Sequence, residues 1–306
     1  MKVDVIIPTY NPDEKLTLLL GNLERQTMTP HRIFILNTID KDFDVDDFNA
    51  KYKTEENIEI RHIGREEFDH GTTRNNGANL SEADYILFIT QDAVPTDNKL
   101  IENMAKSMGP NVVSAYARQV SNEDNPIEML ARRFNYPPVS SVKSESDKER
   151  LGIKVIFCSN VCAMYNHDVF DKLGGFATNN IFNEDMLYAY KVIKSGYSIA
   201  YVAESSVMHT HYYSLKKIFQ RYFDQGVSQK NNSKVFSEFS TMSEGGKQAK
   251  YIVNGLIKAK NYSKVLLFIL QSAAKVSGLL LGKNYSILPK SLRQNFSMNK
   301  NYWHKQ

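Results

Sequence analysis

The chain has 306 residues, of which 42% are hydrophobic and 24% are charged. This length and composition allow a substantial buried core, exclude global disorder and predict about two domains. The net charge of +4 is unevenly distributed, since eleven Lys and Arg and no Asp or Glu occur from Gly245 onward. The first 244 residues therefore carry 27 basic and 34 acidic side chains, a net charge of −7. A basic tail on an acidic body favours a tail that binds an anionic surface.

The sequence shows no recognisable targeting signal, and its two cysteines have the pattern of reduced thiols, so a cytoplasmic location is expected. The longest apolar stretch, Val265 to Leu281, is interrupted by Gln271 and Lys275, which disfavours a membrane-spanning helix. The apolar run at the N-terminus is short and ends at Pro8, so it does not resemble a signal peptide. Cys158 and Cys162 have no companion Cys or His at metal spacing, which predicts buried, reduced thiols.

The first 118 residues alternate short β-branched runs with helical patterns. Strands are predicted at Val3–Ile7, Arg32–Leu36, Ile58–Ile63, Tyr85–Thr90 and Val112–Arg118. Helices are predicted between them at Lys15–Arg25, Thr72–Ser81 and Asn98–Met108. This alternation predicts an α/β fold with a mostly parallel central sheet and helices on both faces. Ligands of such sheets bind beyond the carboxyl ends of the strands, so residues 9–11, 37–40 and 91–92 are expected to line one crevice.

After residue 118 the predicted structure is first irregular, then regular again, and finally helical. Residues Ser121–Arg150 hold three prolines and a polar run, which predicts an irregular segment and a candidate lid beside the crevice. Regular structure is expected from Ile153, with a strand at Tyr197–Val202. From Tyr213 onward, apolar residues recur at spacings of three and four with basic residues between them, which predicts basic amphipathic helices.

Asp92 and two late histidines form the first group of candidate functional residues. Asp92 follows an apolar strand, and His209 and His211 follow the last predicted strand. A carboxylate and an imidazole can hold a divalent cation that neutralises a diphosphate leaving group. Capping of the turn by Asp92 and purely structural roles for the histidines are the alternatives.

Two further groups have both a functional and a structural interpretation. Glu184 and Asp185 are adjacent carboxylates at the predicted start of a helix, where one could act as a general base. Acidic residues in a first helical turn are also favoured by the helix dipole. In residues 70–77, HGTTRNNG, the glycines and Arg74 suit a phosphate group near a helix N-terminus. Ordinary helix capping explains the same residues.

In order and spacing, these segments resemble the inverting family 2 glycosyltransferases, which have the GT-A nucleotide-sugar-binding fold. The resemblance covers about residues 1–215. It rests on VDVIIPTYN, GTTRNNGANLSEADYILFITQDA and FDKLGGFATNNIFNEDMLYAYKVIKSGYSIAYVAESSVMHTH. The HGTTRN and TQDA forms are similar to those of rhamnosyltransferases that use dTDP-rhamnose, in particular the streptococcal type that builds the rhamnan of cell-wall polysaccharide.

The resemblance implies a domain organisation and a donor site. A GT-A domain would span residues 1–212, with a donor-binding half over about 1–118 and an acceptor half over about 151–212. A basic, amphipathic, helical C-terminal region would span residues 213–306. The donor-nucleotide contacts implied by the family motifs are Pro8, Thr9, Tyr10, Asn37, Asp69, Arg74, Gln91 and Asp92.

The resemblance also implies the catalytic and metal residues. Asp185 matches the catalytic base, with Glu184 as its neighbour, and Asp92 and His209 match the ligands of Mg²⁺ or Mn²⁺. One departure is that Thr90 stands where the family usually has the first Asp of its Asp-x-Asp motif. With fewer carboxylates, much of the cation's coordination is expected to come from the phosphates of the donor.

The implied activity is transfer of L-rhamnose from dTDP-β-L-rhamnose, with inversion, to a hydroxyl of a lipid-linked saccharide in cell-wall or surface polysaccharide synthesis. A UDP-hexose donor in capsule synthesis is one alternative, and a non-catalytic nucleotide-sugar-binding or scaffold subunit is another. The basic tail would contact anionic lipid at the inner face of the bacterial plasma membrane. Packing of the tail on the body or on a second subunit, as in a homo-oligomer, is the alternative. No nucleic-acid-binding module is recognisable.

Overall fold

The computed structural model describes residues 1–53, 55–239 and 242–304, excluding the side chains of residues 242 and 243. The strands are β1 Val3–Tyr10, β2 Arg32–Ile39, β3 Ile58–Gly64, β4 Tyr85–Ile89, β5 Val94–Pro95, β6 Val112–Val120, β7 Ser141–Lys143, β8 Cys162–Asn166 and β9 Ser198–Met208. The first helices are α1 Glu14–Glu24, α2 Val45–Tyr52, α3 His70–Ala78, α4 Leu100–Ser107, α5 Pro126–Asn135, α6 Lys148–Leu151, α7 His167–Lys172 and α8 Glu184–Lys194. They are followed by α9 Leu215–Asn231, α10 Ser233–Phe236, α11 Met242–Lys258, α12 Tyr262–Lys283 and α13 Lys290–Phe296.

These strands form one sheet in the order β3-β2-β1-β4-β8-β6-β9-β5, and β7 also pairs with β9. The neighbours β3, β2, β1 and β4 run parallel, as do β6 and β9. Strand β8 is antiparallel to both β4 and β6, and β5 and β7 are antiparallel to β9. The fold is therefore α/β, with the predicted parallel sheet in its first half and a mixed sheet in its second.

The described residues divide into two compact units. The first unit contains the whole sheet and comprises Met1–Val120, Pro137–Thr178 and Glu184–His209. The second is helical and comprises Ser121–Tyr136, Asn179–Asn183 and Thr210–Gln306. Each unit buries its own apolar side chains.

The parallel half of the sheet follows directly from the apolar runs in the sequence. Val5 and Ile7 on β1 and Ile33 and Ile35 on β2 are almost completely buried. Strands covered on both faces need apolar side chains at nearly every position, which explains the lack of polar alternation in these runs. Cys158 and Cys162 are buried free thiols in this unit, as predicted.

The prediction that Ser121–Arg150 is irregular was wrong. Helix α5 begins in this segment, where the Asn125 side chain accepts a hydrogen bond from the backbone N–H of Glu128 at 3.3 Å. Pro126 occupies the first turn, where the missing N–H of proline costs nothing. Apolar residues of α5 then pack with Ile252 and Leu256 of α11. Strand β7 lies in the same segment and pairs with β9.

In the second unit, α9 and α12 pack so closely that their backbones are in contact. A Cβ atom added to Gly282 of α12 would lie 2.1 Å from the carbonyl oxygen of Phe223 in α9. A Cβ atom added to Gly278 would lie 2.4 Å from the carbonyl oxygen of Phe219. Within the described residues, α12 is the one helix long and apolar enough to cross a membrane. Its most apolar window has a mean hydropathy of 1.8 and is 17% buried.

Candidate active site

The ends of β1 and β2 meet through buried polar side chains. Thr9 lies opposite Asn37 in the parallel register, and the Thr9 hydroxyl donates to Asn37 Oδ1 at 2.8 Å. Asn37 Nδ2 lies 3.2 Å from Nδ1 of His62 on β3. Burial lowers the pKa of His62, so a neutral imidazole that accepts from Asn37 is favoured. Pro8, opposite Leu36 in the same register, completes this strand end.

Tyr10 and Gln91 join the ends of β1 and β4. The backbone N–H of Tyr10 donates to Gln91 Oε1 at 2.8 Å, and Gln91 Nε2 donates to the Tyr10 carbonyl at 3.1 Å. The Tyr10 hydroxyl donates to Asp40 at 3.0 Å, and the Arg65 guanidinium lies 5.2 Å from the centre of the tyrosine ring. This pair of hydrogen bonds holds the ends of β1 and β4 together at the edge of the sheet where ligands of parallel sheets usually bind.

Helix α3 starts at the HGTTRN motif. Asp69 caps it, because its Oδ1 accepts from both the backbone N–H and the hydroxyl of Thr72 at 2.8 Å. Asn75 holds α3 to the Gly-Gly-Phe turn at residues 174–176. Its side chain donates to the carbonyl of Phe176 at 3.0 Å and accepts from the N–H of Phe176 at 2.9 Å. The two motifs therefore pack against each other. The contacts of Asp69 with Thr72 are those of a cap, so its donor contact stays a prediction.

Arg74 projects from α3 to the predicted catalytic carboxylates. Its Nη1 lies 3.3 Å from Glu184 Oε1 and also donates to the carbonyl of His70 at 3.0 Å. Arg74 and Glu184 are 6% and 7% exposed. A buried ion pair of this kind holds its partners in place, since removing one leaves an uncompensated charge. Arg74, predicted to contact the donor, thus contacts the neighbour of the predicted base.

Asn160 supports both carboxylates. Its side-chain amide lies 3.4 Å from Glu184 Oε1, and its backbone N–H lies 3.4 Å from Asp185 Oδ2. Asp185 Oδ1 accepts from the backbone N–H of Met186 at 2.8 Å. The hydroxyl of Tyr165 donates to Asn160 Oδ1 at 2.7 Å and fixes the amide. Both carboxylates begin α8, where the helix dipole favours negative charge.

The two carboxyl groups have opposite pKa shifts. Burial, and after it the negative charge of Glu184, raises the pKa of Asp185 to about 7. Burial is the largest single influence on Glu184 and opposes its ionisation, but the charges of Arg74 and His70, together with hydrogen bonds from the backbone and from Asn160, outweigh burial and lower the pKa of Glu184. Neighbouring carboxyl groups with separated pKa values are typical of acid–base sites. Asp185 is the group of the pair suited to exchange a proton near neutral pH.

Asp92 and His209 are brought together by strand pairing. Val94 of β5 lies opposite Met208 of β9, and this pairing places Asp92 Oδ1 3.5 Å from His209 Nε2. Nδ1 of His209 lies 3.1 Å from Oε1 of Gln119 on β6. Because a carbonyl oxygen only accepts, the proton of a neutral His209 is on Nδ1 and the lone pair of Nε2 faces Asp92.

The loop before β8 connects the two groups of residues. Gln119 Nε2 donates to the Ser159 hydroxyl at 3.1 Å, and the next residue, Asn160, holds Glu184 and Asp185. The consecutive residues Ser159 and Asn160 thus link the Asp92–His209 pair to the Glu184–Asp185 pair. Sequence reasoning missed Gln119, Asn160 and Tyr165, since no motif marks them and only the fold brings them to the site.

Asp92 and His209 suit a divalent cation. An oxygen and a nitrogen 3.5 Å apart can both bind an ion at about 2.1 Å from each. The orientation of His209 by Gln119 is the usual arrangement of a metal-bound imidazole. His211 follows two residues later and belongs to the second unit. Two protein ligands leave most coordination positions to oxygen atoms of a bound ligand or water.

The mixed α/β sheet is that of the GT-A fold. The sequence profile described as "Glycosyl transferase family 2" matches residues 4–174. The chain belongs to this family of enzymes, in agreement with the resemblance seen in the sequence.

Two curated relatives extend this match to the full chain. The O-antigen chain rhamnosyltransferase RfbN of Salmonella typhimurium is 38% identical over 307 residues, covering 99% of this chain and 96% of the relative. The O-antigen chain rhamnosyltransferase WbaN of Salmonella anatum is 37% identical, covering 98% of this chain and 95% of the relative.

A solved structure with a similar fold is the mannosyltransferase PcManGT of Pyrobaculum calidifontis, in complex with GDP-Man and Mn²⁺. The TM-score is 0.57 and the identity is 13%, over 99% of this chain and 85% of the other. At this identity the likeness concerns the fold alone.

Proposed function

We propose that the chain is an inverting rhamnosyltransferase that transfers L-rhamnose from dTDP-β-L-rhamnose to a hydroxyl of a saccharide acceptor in surface polysaccharide synthesis. The observation that carries the catalytic part is the raised pKa of Asp185 beside the buried Arg74–Glu184 pair. The sugar is supported by the similarity to two rhamnosyltransferases over almost the full chain.

The chemical step is a single displacement at the anomeric carbon. Asp185 accepts the proton of the acceptor hydroxyl while that oxygen forms a bond to the anomeric carbon. The bond from this carbon to the phosphate oxygen breaks, and dTDP leaves with the electron pair. Attack from the opposite face converts the β-linked donor into an α-linked product. General base catalysis of this kind contributes about 10² to 10⁴ in rate.

Asp92 and His209 would hold the Mg²⁺ or Mn²⁺ ion, with Gln119 orienting the imidazole. A bound cation neutralises negative charge on a diphosphate leaving group. The side chain of Thr90 replaces a carboxylate, so the protein supplies less negative charge to the cation than a family member with two aspartates. The mannosyltransferase with the similar fold was solved with Mn²⁺.

The donor nucleotide would bind at the strand ends. Pro8, Thr9 and Asn37 would border the nucleoside, and the backbone edge formed by Tyr10 and Gln91 would continue the site. Asp92 at the end of β4 would be the donor contact next to the cation. In this scheme Asp69 and Arg74 act on the donor less directly, through the start of α3 and through Glu184.

The proposed acceptor is a lipid-linked saccharide. Such an acceptor would place the enzyme in the bacterial cytoplasm at the inner face of the plasma membrane, where the basic C-terminal region meets anionic lipid. Homo-oligomer formation through this region is the competing arrangement.

A donor panel tests the proposed function. The purified full chain is incubated with dTDP-rhamnose, UDP-glucose or UDP-galactose and a synthetic lipid-linked rhamnosyl or N-acetylglucosaminyl acceptor, followed by mass spectrometry. The expected result is one added rhamnose, formed from dTDP-rhamnose and requiring Mg²⁺ or Mn²⁺. Hexose addition from a UDP-sugar would contradict the donor assignment. Nucleotide-sugar binding without any transfer would instead support a non-catalytic subunit.

A further inference from the structure

Helix α12 exposes many of its large apolar side chains. Six of them are between 47% and 66% exposed: Tyr262, Leu266, Ile269, Leu270, Val276 and Leu280. At 3.6 residues per turn they fall on one face, which we call the outer face of α12. From Tyr262 to Leu280 this face is about 27 Å long, at 1.5 Å per residue.

The opposite face of α12 packs within the second unit. Gly278 and Gly282 meet the backbone of α9, as described above. Lys275 also points to this side, and its ammonium group lies 5.6 Å from the ring centre of Tyr222 on α9. The packed side of the helix thus combines these small and polar residues with apolar residues such as Phe268 and Leu281, while six large apolar side chains stay outside this packing. Contiguous exposed apolar surface of this size marks an interaction site.

We infer that the outer face of α12 binds an anionic lipid bilayer, with the helix lying parallel to the surface. The chain from Gly245 onward holds eleven basic and no acidic residues. Lys258, Lys260 and Lys290, close in sequence to the two ends of α12, are exposed, and exposed cations beside an apolar helix face favour binding to anionic lipid. A second copy of the chain would bring the same basic region against itself, and like charges repel.

The contact with α9 decides between lying on the bilayer and crossing it. Helix α12 packs against α9, which carries Lys216, Lys217 and Arg221. Burying these cations in the hydrocarbon core is costly, so a helix attached to α9 is not surrounded by lipid. An interfacial position lets the outer face enter the acyl boundary while α9 stays in the polar layer.

Vesicle binding by the full chain tests this inference. Flotation is measured with phosphatidylcholine vesicles that contain or lack phosphatidylglycerol, without any sugar substrate. The Leu266→Ser, Ile269→Ser double variant removes two outer-face side chains. The matched control is Leu18→Ser, Val139→Ser, which removes two similarly exposed apolar side chains of the first unit.

We expect the wild type and the control to bind the anionic vesicles and to release them at high salt. The outer-face variant should bind at least about tenfold more weakly. Equal binding by the outer-face variant, or no binding by the wild type, would overturn the inference. Retention after an alkaline carbonate wash would overturn the position parallel to the surface. A wild-type dimer in light scattering that the outer-face variant dissociates would assign the face to a second copy.

The inference rests on the proposed function only in that a lipid-linked acceptor gives bilayer binding its purpose. Rhamnose transfer to a water-soluble acceptor separates the two. The outer-face variant should keep this activity, which also shows that it is folded. Vesicle binding without transfer from dTDP-rhamnose would contradict the proposed function and leave the inference standing.

Discussion

The two compact units distribute polar and apolar side chains in opposite ways. The first unit buries charge, since Arg74 and Glu184 are nearly inaccessible and the carboxyl group of Asp185 is raised in pKa by burial. The second unit exposes apolar surface along α12 and places glycine at its internal contact. Removing charge from water tunes a proton-transfer group, whereas leaving apolar groups in water prepares a contact with another surface. Substitutions that act on one of these arrangements should therefore leave the other intact.

The largest effect is expected for Asp185→Asn. An amide cannot accept the acceptor's proton, so kcat should fall about 10³-fold while the affinity for dTDP stays nearly unchanged. Steady-state kinetics and dTDP titration measure the two quantities. The matched control is Asp168→Asn, which removes an exposed carboxylate from the first turn of α7. Turnover retained by Asp185→Asn would remove Asp185 from its role as base.

The next effect concerns the second unit. Gly282→Ala places a Cβ atom against the backbone of α9, which cannot yield as a side chain would, and should lower the free energy of unfolding by about 3 kcal/mol. Urea denaturation measures the loss. Gly246→Ala in α11 is the control, because an added Cβ meets no described atom within 4 Å. That variant should be slightly stabilised, by roughly 0.5–1 kcal/mol. Equal stability of the two variants would contradict the tight α9–α12 packing.

Gln119→Leu should weaken Mn²⁺ binding by about 10- to 100-fold, because His209 loses the partner that orients its imidazole. Titration of Mn²⁺ in the presence of dTDP, followed by electron paramagnetic resonance, measures this directly. Gln119→Glu retains an oxygen acceptor for His209 Nδ1 and should recover most of the affinity. Unchanged binding in Gln119→Leu would show that the strand pairing alone positions the imidazole.

The smallest effect is a pH dependence. Asp185 must be ionised to accept a proton, so kcat should fall about tenfold per unit as the pH drops below about 7. In Glu184→Gln one negative charge is lost, so the pKa of Asp185 should fall and the acid limb should move to lower pH. Measurements of kcat from pH 5 to about 9 compare the wild type with Glu184→Gln. An identical acid limb in the two proteins would contradict the coupling between the carboxyl groups.

The same pKa has an opposite consequence for stability. Folding raises the pKa of Asp185 from 3.8 to about 7, so the folded state binds its proton more tightly than the unfolded state. This contribution to stability is fully present below about pH 4 and is lost as the pH rises through about 7. The pH range in which Asp185 becomes able to accept a proton is thus the range in which its burial costs most.

The sequence predicted elements with strong local signals and missed those set by distant contacts. The β-branched runs of β1 to β4 gave the parallel half of the sheet, because such runs are buried on both faces. Helix α5 was missed because three prolines and a polar run favour irregular structure, whereas Pro126, directly after the Asn125 cap, suits a helix start.

For the candidate site, too, the sequence indicated residues that lie in motifs and missed residues that only the fold brings to the site. Motifs indicated Asp92, Asp185 and His209, and the structure brings Asp92 to His209 through the pairing of β5 with β9. The supporting residues Gln119 and Asn160 have no local signature, because their value depends on which strand and loop the fold places beside them. Strand β8 lies between β4 and β6 and is antiparallel to both, which brings Gln119 and Asn160 to the site. No periodicity in the sequence predicts this position of β8.

The contact between α3 and the Gly-Gly-Phe turn limits how this enzyme can be recombined. A Cβ atom at Gly71 would lie 2.0 Å from the carbonyl oxygen of Ala177, and one at Gly175 would lie 2.7 Å from Asn75 Oδ1. The segment that contains α3 and the segment that contains Gly175 and Ala177 are thus shaped to each other rather than joined as separate modules. A chimera that takes residues 151–209 from a relative needs residues compatible with Gly71 and Asn75 on the other side. Specificity is therefore better exchanged by point substitution than by swapping segments.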